Sequence, residues 1–169
     1  ENYQNAEVSD AALKYEGVAR FFRAWFYFDK VKRFGGVPWY ETEIKTDDED
    51  LLYKPRDSRE FIMNKTIEDL EIAVERLGTT RKPDQISKWT ALAFLSRICL
   101  YEGTYRKYHT ELNLPDADKL LEKAYKAAER VMNESGDSLY TTGNSDVEYR
   151  DLFASDDLKE AEVILGRRY

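Results

Sequence analysis

The chain has 169 residues, with 26 Lys and Arg against 33 Asp and Glu, a net charge of -7, a single Cys99 and a single His109. A chain of this length buries about 70 % of its extended surface and leaves about 8,600 Å² exposed, so it builds a core without metal or disulfide staples. The acidic balance argues against a nucleic-acid binder, one cysteine excludes an internal disulfide framework or multi-cysteine zinc site, and one histidine speaks against a catalytic triad.

Mean hydropathy is -0.69, and no apolar run approaches the ~20 residues of a membrane-spanning helix. The start carries no initiator Met, signal peptide or lipidation motif, so the chain reads as an excerpt of a larger protein. Helical sequence runs from about Ala6 to Arg33, with Gly17 its only interior glycine. Phe21-Phe-Arg-Ala-Trp-Phe-Tyr-Phe28 is apolar on nearly every side, which predicts a helix packed on more than one face. Glu16 with Arg20 and Asp29 with Arg33 sit at i,i+4 in the favourable order. Gly35-Gly36 ends the helix and Pro38 prevents its resumption.

Trp39 to Pro55 reads as a loop bearing the acidic run Asp47-Asp48-Glu49-Asp50. A second helix starts at Asp57 or Ser58, with Asp57 and Glu60 as a capping box. Its stripe is Met63, Ile67, Leu70, Val74 and Leu77, and Gly78 supplies the C-cap. The third helix runs from about Ser87 to Tyr105, with Leu92, Leu95, Ile98 and Cys99 inward. Its small residues Ala91, Ala93 and Ser96 admit a close neighbour. Pro115-Asp116 opens a fourth, burying Leu121, Ala124, Tyr125, Ala128, Val131 and Met132, and Ser135-Gly136 closes it. A short helical piece around Val147 to Phe153 follows, then one strand, Val163 to Leu165, with no good partner in the chain.

The expected fold is all-α: one domain over residues 1–169, made of tetratricopeptide-like helical hairpins with long loops and a lone C-terminal strand. Helix starts near Ser58, Ser87 and Asp116 are about thirty residues apart. A tetratricopeptide repeat fits a helix pair into ~34, so this is no regular array.

Phe21-Phe-Arg-Ala-Trp-Phe-Tyr-Phe-Asp-Lys-Val-Lys-Arg-Phe-Gly-Gly-Val-Pro38 resembles the opening signature of the SusD/RagB family. In the same order, Pro55-Arg-Asp-Ser58, Ile67-Glu-Asp-Leu70 with Ala73 and Leu77, Ser87 to Arg97 with Leu100-Tyr-Glu-Gly103, Lys123-Ala124 with Ala127-Ala128 and Val131, Asp151-Leu-Phe153 and Glu162-Val-Ile-Leu165 are similar to its later marks. The resemblance implies a surface-exposed lipoprotein of the bacterial outer membrane that binds oligosaccharide, polysaccharide or peptide nutrients. It also implies a SusC-like TonB-dependent transporter as partner. The membrane is then reached only through a lipid anchor absent from this chain, and the helical part serves as scaffold and transporter-facing surface. No nucleic acid, cofactor, metal or catalytic step is implied.

Individual residues sharpen this reading. Trp25, Phe26, Tyr27 and Phe28 are expected to face the core. Trp39, Tyr40 and Tyr53 are the loop aromatics with the chemistry to stack on a sugar's C–H face, and the alternative for Trp39 and Tyr40 is to plug the gap between this scaffold and the rest of the protein. The acidic run lacks EF-hand spacing and reads as a solvated loop rather than a calcium site. Tyr101, Tyr105, Tyr108 and His109 recur at about helical spacing as an interface candidate, and Arg23 is expected in a buried or half-buried ion pair. The fourth helix offers Lys119, Glu122, Lys123, Lys126, Glu129 and Arg130 as a broad polar contact face. No serine elbow or phosphate loop is present. The competing readings are a generic helical-repeat scaffold for protein partners and, less favoured, a helical glycoside hydrolase fragment.

Overall fold

A computed structural model describes residues 9–159 and 161–167. Helix α1 (Asp10–Phe34) starts where Ser9 accepts the Ala12 N–H at 3.3 Å, and it ends at Gly35, whose φ of 69° suits glycine. Ala6 to Val8, where the helical pattern begins, lie outside the described residues. Gly36 allows a close approach, since a Cβ there would stand 2.4 Å from the Asp57 carbonyl oxygen. The following segment is not all loop: α2 (Glu49–Leu52) makes one turn within it.

Helix α3 (Arg59–Arg76) is capped by Ser58, which accepts the Phe61 N–H at 3.1 Å. The expected Asp57–Glu60 box is absent because Asp57 is turned toward Trp39 instead. The helix stops at Leu77 in extended conformation, so the expected Gly78 cap is displaced by one residue. Helix α4 (Lys88–Tyr108) opens with a Ser87–Thr90 capping box. A 3₁₀ turn (Thr110–Leu112) leads to α5 (Ala117–Glu134), and α6 (Ser145–Ala154) covers the short helical piece.

The long helices pack in chain order, α1 on α3, α3 on α4 and α4 on α5. This gives the layered, tetratricopeptide-like arrangement expected of the helical hairpins. One core runs through the stack. It includes Phe21, Ala24, Phe28 and Val31 of α1, the complete Met63–Ile67–Leu70–Val74–Leu77 stripe, and Leu92, Leu95, Ile98 and Cys99 of α4. The α4–α5 contact is tight enough that a Cβ at Gly103 would meet Leu121 Cδ2 at 2.9 Å and the Ala117 oxygen at 3.1 Å. Ser96 Oγ donates to the Ala124 carbonyl at 2.8 Å across the same seam.

Three expectations are corrected. Val163 to Leu165 is not a strand, and among the described residues there is none. Glu162 and Val163 donate back to the Lys159 carbonyl, Gly166 donates to that of Pro83, and Ile164 packs on the core, so the segment turns where it has no strand to pair with. On α5 the buried stripe is Leu120, Ala124, Ala127 and Val131, while Tyr125 and Met132 are exposed. Because α5 packs chiefly on α4, a narrow stripe is sufficient. On α1, Tyr27 and Phe28 are buried, whereas Trp25 and Phe26 stay about half exposed.

Leu70, fully buried at the centre of the α3 stripe, tests this register. Leu70→Ala should destabilise by about 2 to 5 kcal/mol in chemical denaturation, and a loss below about 0.5 kcal/mol would mean the stripe faces solvent.

Candidate functional site

The region around Trp39 is built on one carboxylate. Asp69 of α3, with its side chain 2 % exposed, receives Arg23 Nε at 2.6 Å, Arg23 Nη2 at 2.7 Å and Arg20 Nη1 at 2.8 Å. Arg20 is held in turn by Glu16 at 2.9 Å. The ion pair expected of Arg23 is therefore present and bidentate, the strong form of such contacts. The same Arg23 guanidinium lies 5.0 Å from the Trp39 ring centroid, and the Tyr27 ring is 4.2 Å from it.

Trp39 is only 5 % exposed. Its N–H donates to Asp57 Oδ2 at 2.7 Å and its indole Nε1 to Glu41 at 3.1 Å. Lys54 Nζ bridges the Trp39 carbonyl at 2.9 Å and Asp57 Oδ2 at 2.7 Å. An indole held between Arg23 and Tyr27 presents no open platform, so Trp39 fills a gap within the scaffold. Tyr40 is half-buried, its hydroxyl donating to the Leu51 carbonyl at 2.7 Å and its N–H to the Tyr27 phenol at 2.8 Å. Tyr53 stands apart at 84 % exposure. The three loop aromatics thus do not converge.

Electrostatics reinforce this strap. The hydrogen bond from Lys54, joined by the Trp39 N–H, holds the Asp57 carboxyl below its ordinary value. Burial acts oppositely on Cys99, pushing the thiol up to about 12, so it is a core residue and not a nucleophile. In the acidic run, Asp48 accepts the Lys45 N–H at 2.8 Å and opens α2. No group of three or more His, Cys, Asp or Glu suited to a metal ion occurs among the described residues.

The outer face of α5 carries the charged candidates. Glu122 pairs with Lys126 at 2.6 Å, Lys119 with Asp116 at 2.6 Å, Arg130 with Glu134 at 3.4 Å, and Lys123 with Glu71 of α3. Glu129 accepts the Tyr125 hydroxyl at 2.7 Å. On α4, Tyr105 and Tyr101 receive Arg59, whose guanidinium carbon is 3.6 Å and 5.8 Å from their ring centroids, and His109 stacks at 4.3 Å on Tyr105.

Two features escaped the sequence reading. Glu102 is fully buried between Arg59 at 2.7 Å and Arg106 at 2.9 Å. Its signal was a carboxylate four residues before an arginine on an otherwise core-facing helix side. The other is a cavity of about 980 Å³ against α1, lined by Phe22, Trp25, Phe26, Ile86 and Leu165 among others. No signal separated its rings from the core aromatics beside them.

The layered helices, an internal aromatic strap and a mixed-charge outer face define a helical framework of tetratricopeptide-like type. The chain belongs to the SusD-like family, described as starch-binding and associating with the outer membrane, whose profile matches residues 1–100. SusD-like proteins are non-catalytic binding proteins. SusD-like protein P38 of Formosa agariphila is 31 % identical over 106 residues, covering 63 % of this chain and 21 % of that protein. A SusD-like protein structure from Bacteroides fragilis superposes with a TM-score of 0.73 at 26 % identity, over 98 % of this chain and 29 % of its own. A structure solved with a xylogluco-oligosaccharide matches at TM-score 0.64 and 24 % identity, over 79 % of this chain and 26 % of its own. The chain therefore spans about a fifth to a third of the length of these relatives.

Removing the central carboxylate should be costly. Asp69→Ala leaves two guanidinium groups facing each other, and a loss of about 2 to 4 kcal/mol is expected in denaturant melts. That is somewhat below a fully buried pair because both arginines keep partial access to water. Asp57 supplies a pH test. Its folded pKa is depressed, so its contribution is present above the ordinary carboxylate range and lost as pH falls through the depressed value. Wild type should exceed Asp57→Asn in stability at neutral pH, and the two should converge in acid.

Proposed function

We propose that residues 1–169 form the helical framework of a surface-exposed, lipid-anchored SusD-like glycan-binding protein of the bacterial outer membrane. In this reading the α5 outer face meets a SusC-like TonB-dependent transporter, and the oligosaccharide or polysaccharide is held mainly by parts of the full-length protein outside these residues. The burial of Trp39 carries the reading. A sugar site needs aromatics and polar groups that converge on a concave surface. Here the indole best suited to stacking is enclosed, Tyr40 is tied to Leu51, and Tyr53 is a single open phenol.

The α5 face has the opposite character. Lys119, Glu122, Lys126 and Glu129 are exposed, with Arg130 and the Glu71-bound Lys123 half-buried beside them, a surface of both signs suited to a wet, polar protein contact whose pattern sets register and encounter rate. The family's outer-membrane association supports the location. The relative solved with a xylogluco-oligosaccharide supports oligosaccharide as the ligand class.

In the full-length protein, reversing Lys119, Lys126 and Arg130 to Glu should weaken transporter association by about tenfold, near 1.4 kcal/mol, and spare glycan affinity. Tyr53→Ala should weaken glycan binding by less than that. Trp39→Ala is a stability experiment, expected to cost about 3 to 5 kcal/mol. Calorimetry showing Tyr53→Ala abolishing glycan binding, with the α5 reversals leaving the complex intact, would overturn this division of labour.

A further inference from the structure

Where α3, α4 and α5 meet, two guanidinium groups share one carboxylate. Glu102 receives Arg59 at 2.7 Å and Arg106 Nε at 2.9 Å, so one positive charge of this trio is not balanced within it. Arg106 is the deeper cation, its side chain 1 % exposed. Its Nη1 donates to the Pro115 carbonyl at 2.9 Å, which sets the guanidinium beside the start of α5. Its Nη2 is buried and has no hydrogen-bond partner among the described residues. An N–H of a charged group left unmade in the interior is costly, so this position calls for an acceptor.

The acceptor has a way in. Arg106 lines a cleft of about 290 Å³ between α3 and α5, with Lys119 and Lys123 at its edge. The first turn of α5 borders the same cleft through Asp116, Lys119 and Leu120. Asp116 makes no side-chain cap bond, so the leading amides of α5 bring the positive end of the helix without a capping acceptor from that residue. The carboxylates around the cleft are engaged elsewhere: Glu71 with Lys123, Asp116 with Lys119, Glu68 with Lys65 and Asp118 with Lys107. Those pairs cancel, and the charge left over is that of the two arginines on Glu102.

We propose that this cleft is an oxyanion site, taking a carboxylate, phosphate or sulfate group that accepts from Arg106 Nη2 and from the leading amides of α5, with Lys119 at the mouth. Charge-assisted bonds from a buried guanidinium and a helix N-terminus are the two protein features best suited to such a group. A cation is disfavoured by the surplus arginine charge. A neutral sugar ring is disfavoured because no aromatic residue lines the cleft. The inference does not depend on α5 meeting a transporter, and its test uses the protein without that partner.

Thermal melts of the full-length protein test this, with sodium chloride exchanged for sodium phosphate, sulfate or acetate at fixed ionic strength. Exclusion of phosphate or sulfate from the surface raises the melting temperature of every variant alike and without saturation. A site adds a saturating rise that follows ligand concentration over Kd. Wild type should show that rise with at least one of the anions, and Arg106→Met, which keeps the Arg59–Glu102 pair, should lose it. Lys119→Glu changes an exposed residue and keeps the fold whether or not Arg106→Met does; it should move the saturation midpoint severalfold higher. A response to acetate alone assigns a carboxylate ligand, and a response to phosphate or sulfate alone a tetrahedral one. An identical, unsaturating rise in wild type and Lys119→Glu would overturn the proposal and leave Nη2 to water. So would a saturating rise retained in a folded Arg106→Met, which marks adsorption to surface lysines.

Discussion

A carboxylate that is almost wholly enclosed has to be met on every lone pair, and Asp69 is met by two arginines from one neighbouring helix. Arg20 and Arg23 lie three residues apart on α1, so both reach the same point of α3 only at one rotation and one height of the helix pair. Hydrophobic contacts alone tolerate sliding, because Phe, Leu and Ile exchange neighbours at small cost. The Asp69 hub does not, and it fixes the α1–α3 register on which the later layers are stacked. Its reach continues outward: the guanidinium that binds Asp69 is also the one under Trp39. Trp39 in turn organises Asp57 and Lys54, and so the approach to the start of α3.

Glu102 plays the corresponding part further along the stack. It is fully buried, receives Arg59 from the first residue of α3 and Arg106 from its own helix, and Arg106 also donates to the Pro115 carbonyl just before α5. One buried ion thus ties α3, α4 and the entry to α5 together. Such networks add little net stability compared with apolar replacements, but a removed partner is expensive, which makes them markers of geometry. Arg59 is further enclosed by Tyr105 and Tyr101, which accounts for those two tyrosines, while Tyr108 is exposed.

Much of this was legible beforehand for a specific reason. The α3 stripe repeats at helical spacing, so period and burial coincide, and Ser58 and Ser87 cap helices where short polar side chains precede apolar runs. Arg23 was readable as an ion pair because an isolated cation among aromatics needs one. Where two solutions shared one pattern, the reading failed. On α5, residues on both flanks of the stripe are apolar enough to be buried, and only the presence of a single neighbouring helix decides that Tyr125 and Met132 stay in water. Val163 to Leu165 has strand-forming composition, but a strand is a property of two segments, and the hydrogen bonds here go to Lys159 and Pro83 instead.

The aromatic block of α1 shows the limit most clearly. Phe21, Ala24, Phe28 and Val31 face the core, and Phe22, Trp25 and Phe26 face the groove, yet composition alone treats all these rings alike. A helix apolar on two sides is evidence of two contacts, and only one is supplied within residues 9–159 and 161–167. Arg20 and Arg23 neutralise the carboxylate inside the α1–α3 contact, while on the groove side Asp29 pairs with Lys32 and Arg33 of its own helix, and Asp84 and Arg167 stand beside it. The first side is a finished interface with its charges matched. The second is an open aromatic face, with Phe22, Trp25 and Phe26 about half exposed.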